Sequence, residues 1–251
     1  MLSHDTIERM LDTPIEKDPY DHLVIDNFFD DEYANRLCGE FPPYDDEKYW
    51  YTYDNPIEIK RTCNSWDKFP AATYRAFWAL CSEEFCSVLE KKFAVALRAD
   101  FGLNGGGWHM HGKGGKLNMH KDYSTHPKIP YQRKLNIIIH LSEDWNVGWG
   151  GSFQMWSHDE EKDKPKHLVK KIDVKFNRAV IFDTTQNSWH GLPDPIKCPE
   201  NVFRKTLAIY YVTKLKDGVD PRYRAMFAPT KEQETDNEVL DLIEKRKSVQ
   251  R

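Results

Sequence analysis

Leu117-Asn118-Met119-His120-Lys121-Asp122 is the stretch on which the reading of this chain turns. In an extended strand alternate side chains share a face, so His120 and Asp122 point one way and Lys121 the other. Lys121 is therefore expected to meet solvent or a surface neighbour. Far downstream, Ser188-Trp189-His190 brings a second imidazole, just ahead of Gly191-Leu192-Pro193. Phe203-Arg204-Lys205-Thr206 then supplies a fixed positive charge with a hydroxyl two positions on, again on one strand face. A lone histidine in a strand is ordinarily structural. Two imidazoles and a carboxylate together can hold one face of a metal ion and leave its other positions open.

The runs around these residues decide the fold. Short apolar or alternating segments broken by turns predict strands at residues 108–110, 116–120, 134–141, 152–156, 168–172, 178–183, 188–191 and 206–212. The glycines at 105–107, 112–115 and 148–151 read as turn punctuation, and the first two runs lack the GKS or GKT ending of a phosphate loop. Eight short strands predict a mainly β protein with flanking helices (α+β). Its core would be a double-stranded β-helix, a jelly roll of the cupin-like kind, with N-terminal support helices. In a jelly roll, sequence-distant strand ends meet at one mouth, where a ligand can enter.

Ahead of the core, residues 1–19 predict a short helix and an arm, and residues 21–29 a short strand. Asp30 or Asp31 caps a helix carrying Tyr33, Ala34, Leu37 and Cys38 at helical spacing, which Pro42-Pro43 stops. Residues 44–67 mix Tyr44, Tyr49, Trp50, Tyr51, Tyr53 and Trp66 with acids. They read either as a long loop packed on the core or as a flap over a pocket. Residues 71–92 predict one support helix, with Tyr74, Phe77, Trp78, Cys81, Phe85, Val88 and Leu89 inward and Ser82 outward. Residues 238–247 predict a helix striped by Val239, Leu240, Leu242 and Ile243, either a cap on the fold or a weak dimer contact. The expected layout is a single domain over residues 1–251. It comprises an N-terminal helical and flap region (1–104), the jelly-roll core (105–213) and a C-terminal helical tail (214–251).

Composition narrows the function. A net charge of −4, with 36 basic residues spread along the chain, does not suit a nucleic-acid binder. The Lys162 to Lys175 run is interleaved with acids and apolar residues and reads as a solvated hairpin face. Five cysteines without CxxC spacing favour a reducing cytoplasm over a disulfide framework or a zinc site. No signal peptide and no membrane span are expected. The 8 Trp, 12 Tyr and 13 Phe suit side chains packed between sheets.

With these residues in order, the chain resembles the Fe(II)- and 2-oxoglutarate-dependent dioxygenases, and within them the prolyl 4-hydroxylase-like group. The family pattern is HxD, a distal His, then a basic residue with Ser or Thr two positions later. It is similar here to His120-Lys121-Asp122, His190 and Arg204-Lys205-Thr206. The segments 133–145, 150–156 and 175–182 resemble the family's third strand, its "GG then strand" element and the approach to the distal His. The likeness covers residues 105–213. It implies that His120, Asp122 and His190 hold Fe(II), that 2-oxoglutarate and O2 take the open positions, and that Arg204 pairs with the far carboxylate of 2-oxoglutarate, with Thr206 beside it. Such enzymes convert 2-oxoglutarate to succinate and CO2 and hydroxylate a substrate; L-ascorbate is a further candidate cofactor.

Two family tyrosines that contact 2-oxoglutarate are replaced, by His111 and by His140, which with Asn136 are candidates for the same task. His109, His126, His158 and His167 are taken as structural or exposed. Lys205 should point away from the site. The resemblance implies hydroxylation of prolyl residues in a peptide or protein. The aromatic segments at 44–67 and 123–132 suit a sugar ring or another small metabolite equally well. A catalytically idle jelly-roll binding module is the third reading. A monomer or weak homodimer is expected.

Overall fold

Leu135-Asn136-Ile137-Ile138-Ile139-His140 shows how the chain builds its core. The odd residues are apolar without exception, and the even ones mix polar and apolar. A strand with that pattern packs one face on a core and presents the other to something different. The computed structural model describes residues 2–248. Its strands are β1 (His22–Ile25), β2 (Tyr51–Asn55), β3 (Glu58–Cys63), β4 (Arg98–Ala99), β5 (Gly107–His111), β6 (Lys116–Lys121), β7 (Tyr131–His140), β8 (Phe153–Asp159), β9 (Lys164–Ile172), β10 (Arg178–Asp183), β11 (Trp189–Leu192), β12 (Arg204–Lys214) and β13 (Met226–Phe227). Its α-helices are α1 (His4–Asp12), α2 (Asp31–Gly39), α3 (Ala71–Leu80), α4 (Glu83–Phe93) and α5 (Asn237–Ser248).

The strand order is β1-β10-β7-β12-β5-β3-β6-β11-β8-β9. It divides into two antiparallel runs of four, β10-β7-β12-β5 and β6-β11-β8-β9, joined through β3. This is the jelly roll, and each of the eight core strands anticipated from the sequence is present. One face of the first run packs on the helices. Leu135, Ile137, Ile139, Leu207, Ile209, Tyr211, Ala179 and Ile181 share a core with Leu37 of α2, Ala76 and Phe77 of α3, and Phe85 and Leu89 of α4. The other face meets the second run, where Val180 and Phe182 pack with Phe153, Met155 and Ile172.

Two expectations need correction. Residues 44–67 are not a plain loop: β2 and β3 form a hairpin, and β3 bridges the two runs by pairing with β5 and with β6. Most of the hairpin's side chains are half-buried or exposed, so it lacks the apolar alternation that marks a strand. Residues 71–92 are two helices rather than one. The first ends at Leu80, and Ser82, expected on a solvent face, caps the second by accepting a hydrogen bond from Phe85 N at 3.1 Å. The break rotates the apolar stripe, so Tyr74 and Trp78 lie outside, the latter 63% exposed. The start of α3 has no cap of its own. Glu40 supplies one from α2's end, accepting from Ala72 N at 3.0 Å and Thr73 N at 2.6 Å.

Other local readings stand as expected. Asp30 is the cap of α2, accepting from Tyr33 N at 2.8 Å. The charged β8–β9 hairpin is largely solvated along β9. Val239 and Ile243 of α5 pack on Ile57 and Phe227, while Leu240 is exposed, so α5 caps the β2–β3 hairpin and β13. All five cysteines are free and buried. Among the described residues no helix is long and apolar enough to cross a membrane.

Candidate active site

His120 sits one residue from the end of β6, and Asp122 follows that strand directly. His190 lies on β11, opposite His120 in register. The two strands approach closely there because residue 191 is glycine: a Cβ on it would lie 2.7 Å from Leu117 O and 2.8 Å from Asn118 O. The structure thus brings together three residues that are far apart in sequence. Their ligand atoms all lie within 4.8 Å of one another, and all three are buried. The Nε2 atoms of His120 and His190 are each 3.8 Å from an Asp122 oxygen, Oδ1 and Oδ2 respectively.

Both imidazoles are oriented by their own strands. His120 Nδ1 lies 3.0 Å from Asn118 O, and His190 Nδ1 lies 2.8 Å from Ser188 O. A carbonyl only accepts, so each ring donates from Nδ1 and keeps the Nε2 lone pair for the centre. Burial, then the neighbouring His190, pushes His120 down to about 3. Burial also lowers His190, against the pull of Asp122. For Asp122 burial favours the neutral form, but Arg133 and the two histidines outweigh it and its pKa is lowered. Two neutral imidazoles and one ionised carboxylate are the donor set a divalent cation requires. Aromatic rings wall this centre: Phe227 stacks on His120 at 5.1 Å, and Phe182 and Phe153 lie 4.7 and 5.5 Å from His190.

The remaining candidates gather on the first run of strands. In register, Arg204 of β12 faces His111 of β5, and Thr206 faces both His109 of β5 and His140 of β7. Residues opposite one another share a face, so these side chains project together between the sheets, with Asn136 further along β7. Arg204 is 2% exposed. Its Nε donates to Gly151 O at 2.8 Å, and burial holds its pKa down to about 10. Gly151 adopts φ +77°, and a Cβ there would lie 3.1 Å from Arg204 Cδ, which accounts for the second glycine of Gly150-Gly151. Both nitrogens of His111 and of His140 are buried without partners, as is Asn136 Oδ1. Burial, then the Arg204 charge, drives both histidines well below the ordinary imidazole range. A buried guanidinium ringed by unpartnered neutral groups suits an anionic ligand that accepts from several donors.

Lys121 does face away from the triad, but it does not reach open solvent. Its ammonium is buried over the Trp189 ring and donates to Asp163 at 2.6 Å and Asn187 at 3.2 Å, tying β6 to the β8–β9 turn. Lys205 points away as expected, to Cys38 O at 3.1 Å. His126 is buried against Asp100 at 3.3 Å.

Three residues of the site escaped the sequence reading. Arg133 Nη1 lies 3.3 Å from Asp122 Oδ1, and Tyr210 OH donates to the same oxygen at 3.4 Å. Between Leu135 and Arg133, β7 holds one residue more than β12. This bulge turns Arg133 onto the interior face, where simple alternation from Asn136 would have sent it outward. Tyr210 was hidden as one more aromatic in an apolar strand. Lys60, on β3, is mostly buried beside Glu58 at 3.2 Å, and its charge reaches both imidazoles and Asp122. The signal for Lys60 was a lysine two residues from a glutamate in a hairpin read as a loop.

Residues 106–212 match the family model of the 2OG-Fe(II) oxygenase superfamily. No curated protein matches the chain in sequence. Among solved structures, a Pseudomonas putida prolyl-4-hydroxylase superposes with a TM-score of 0.56 at 11% identity, over 84% of this chain and 98% of its own. A Trichoplax adhaerens prolyl hydroxylase, solved with a hypoxia inducible factor oxygen degradation domain peptide fragment, gives 0.52 at 13% identity, over 82% and 87%. HygX from Streptomyces hygroscopicus, solved with nickel, 2-oxoglutarate and hygromycin B, gives 0.52 at 14%, over 84% and 88%. At these identities the likeness is one of fold.

Proposed function

We propose that this chain, whose residues 106–212 match the family model of the 2OG-Fe(II) oxygenase superfamily, is an Fe(II)- and 2-oxoglutarate-dependent dioxygenase hydroxylating prolyl residues of a peptide or protein. The whole of residues 1–251 would serve as one such domain. The observation that carries the reading is the meeting of His120, Asp122 and His190, all buried and with ligand atoms within 4.8 Å. These three would hold Fe(II) through Nε2, a carboxylate oxygen and Nε2. The bound Fe(II), with 2-oxoglutarate and O2, supplies the oxidative decarboxylation to succinate and CO2 that is coupled to hydroxylation.

The chain's own part is binding, orientation and exclusion of water. Arg204 would pair with the far carboxylate of 2-oxoglutarate, helped by Thr206. His111 and His140 are neutral, and each has one N–H to donate toward the co-substrate; the Asn136 amide has the same capacity. Phe153, Phe182 and Phe227 keep the imidazoles dry. The five free thiols agree with a cytoplasmic setting.

Anaerobic reconstitution with Fe(II), followed by admission of O2, tests the reaction. Succinate should form from 2-oxoglutarate, and His120→Ala and Asp122→Ala should abolish it. No turnover in the parent would sink the enzyme reading and favour an idle module. A panel of proline-containing peptides, read for a mass gain of one oxygen, tests the substrate. The same chemistry on a small metabolite or saccharide is the second reading. It is supported by the fold shared with HygX, which was solved with hygromycin B, and failure across the peptide panel would move the assignment to it.

A further inference from the structure

Arg133 is a buried charge that neither the His120-Asp122-His190 ligand set nor the Arg204 group includes. It is 2% exposed. Its guanidinium carbon lies 3.4 Å from the ring centre of Tyr123 and 3.2 Å from that of Tyr210. The planar cation is therefore held between two aromatic faces, which restricts its rotation while stabilising its charge. Nη2 donates to Asn104 O. Tyr123 OH donates to the same carbonyl at 3.3 Å. Residue 105 is glycine with φ +75°, and a Cβ there would lie 3.2 Å from Nη2, so the loop closes directly on the fork. Nη1 is left to Asp122 Oδ1 at 3.3 Å, and Tyr210 OH approaches that same oxygen at 3.4 Å. Asp122 Oδ2 is buried with no hydrogen-bond partner, 3.8 Å from His190 Nε2.

The two oxygens of Asp122 are thus treated differently. Oδ1 is engaged by a stacked guanidinium and a phenol and lies 3.8 Å from His120 Nε2. Oδ2 has no hydrogen-bond partner and lies at the same distance from His190 Nε2. We propose that Arg133 and Tyr210 form a positioning clamp that restricts Asp122 to one-oxygen ligation, so that a coordination position remains open for the reaction. This rests on the metal-binding reading of the triad. A carboxylate released from the clamp can turn both oxygens to the ion and fill that position. The bulge in β7 gives the arrangement a structural origin, since without it Arg133 would face the helices.

Cobalt(II) serves as the probe, because its d–d absorption reports coordination number without turnover. Arg133→Met keeps an unbranched apolar stem and removes the charge together with the fork. It should change the position and intensity of the Co(II) bands while Co(II) still binds one per chain. In the Fe(II)-loaded protein it should lower kcat for uncoupled 2-oxoglutarate turnover about 10- to 100-fold, the range found for outer-shell partners of metal ligands. KM for 2-oxoglutarate should stay within about threefold. Tyr210→Phe keeps the stacked ring and deletes only the donor, and should shift both readouts in the same direction by less. Arg133→Lys keeps charge but loses the fork. Together with Tyr210→Phe it carries the test should Arg133→Met fail to fold. Co(II) spectra superimposable on the parent's in the folded variants would overturn the clamp, as would a rise in KM with kcat unchanged. A parent that takes up no Co(II) overturns the metal reading and the clamp with it. A parent that binds and turns over beside unaltered variants sinks the clamp alone.

Discussion

The sheet β10-β7-β12-β5 has helices on one face and the buried polar side chains of the candidate site on the other. The sheet β6-β11-β8-β9 has the candidate site on one face and, over much of β9, solvent on the other. The first carries Arg204, Thr206, His111, His140 and Asn136. The second carries His120 and His190, with Asp122 just beyond its edge. A charge buried as deeply as Arg204 must be positioned by packing, because no water is left to compensate an error. The imidazoles need less support from behind. Each is held by a carbonyl of its own strand, and the two strands are locked together at Gly191. The comparison predicts a division of labour in which global stability lies in the helix-backed sheet and local geometry in the sheet that carries the two histidines.

That division can be broken first at the core. Ile137 of β7 is fully buried against the helices. Ile137→Ala should destabilise the fold by about 2–5 kcal/mol in urea unfolding. Leu168→Ala on β9, where the leucine is 38% exposed, should cost less than about 0.5 kcal/mol. Equal losses would mean that the two sheets share stability evenly.

The second test is functional. Arg204→Met should weaken 2-oxoglutarate binding about 10- to 100-fold, from the loss of hydrogen bonds to a charged group, and leave Co(II) stoichiometry unchanged. His190→Ala should do the converse and impair metal uptake. Calorimetric titration of both ligands against both variants separates the two. If Arg204→Met loses metal, the sheets are not independent.

How far the sequence carried this picture follows from the same physics. The eight core strands were legible because their period-2 patterns and glycine turns are local signals. His120, Asp122, His190, Arg204 and Thr206 were singled out by their spacing along those strands together with the family resemblance. The first three meet with ligand atoms within 4.8 Å, Arg204 and Thr206 lie on the facing sheet, and the variants above test the roles. Arg133 was not legible, because a one-residue bulge reverses strand parity and nothing nearby in sequence announces it. The β2–β3 hairpin was missed because its faces are polar and aromatic on both sides. The break between α3 and α4 was missed for a different reason. Ser82 fits a helix surface as well as it fits a cap, and only the rotation of the apolar stripe tells the two apart.

Ser82 offers the third and smaller test. Ser82→Ala removes the acceptor for Phe85 N and should cost about 1 kcal/mol. It should not change 2-oxoglutarate affinity, since α4 backs the sheet from the far side. A measurable loss of affinity would show that the helix layer tunes the site as well as supporting the sheet.

The smallest expected effect lies at the outer margin of the helix-backed sheet, beside β1 and β10. Asp26 follows β1 and is paired with Arg178 at 2.6 Å and Lys175 at 2.7 Å. The Arg178 hydrogen bond foremost, opposed by partial burial and reinforced by Lys175, holds its pKa down to about 2 from 3.8. A carboxyl depressed in the folded state contributes stability that is complete above the unfolded pKa and lost as pH falls through the folded one. The window is therefore about pH 4 to 2. Asp26 is 36% exposed, so solvent screening reduces the contribution to below about 1 kcal/mol. Asp26→Asn should lower stability by that amount at pH 7, and the gap from the parent should close between pH 4 and 2. Salt at about 1 M should shrink it at neutral pH. A gap that persists at pH 2 would mean that the asparagine disturbs packing at the β1–β10 margin, and that this edge is held by shape rather than by charge.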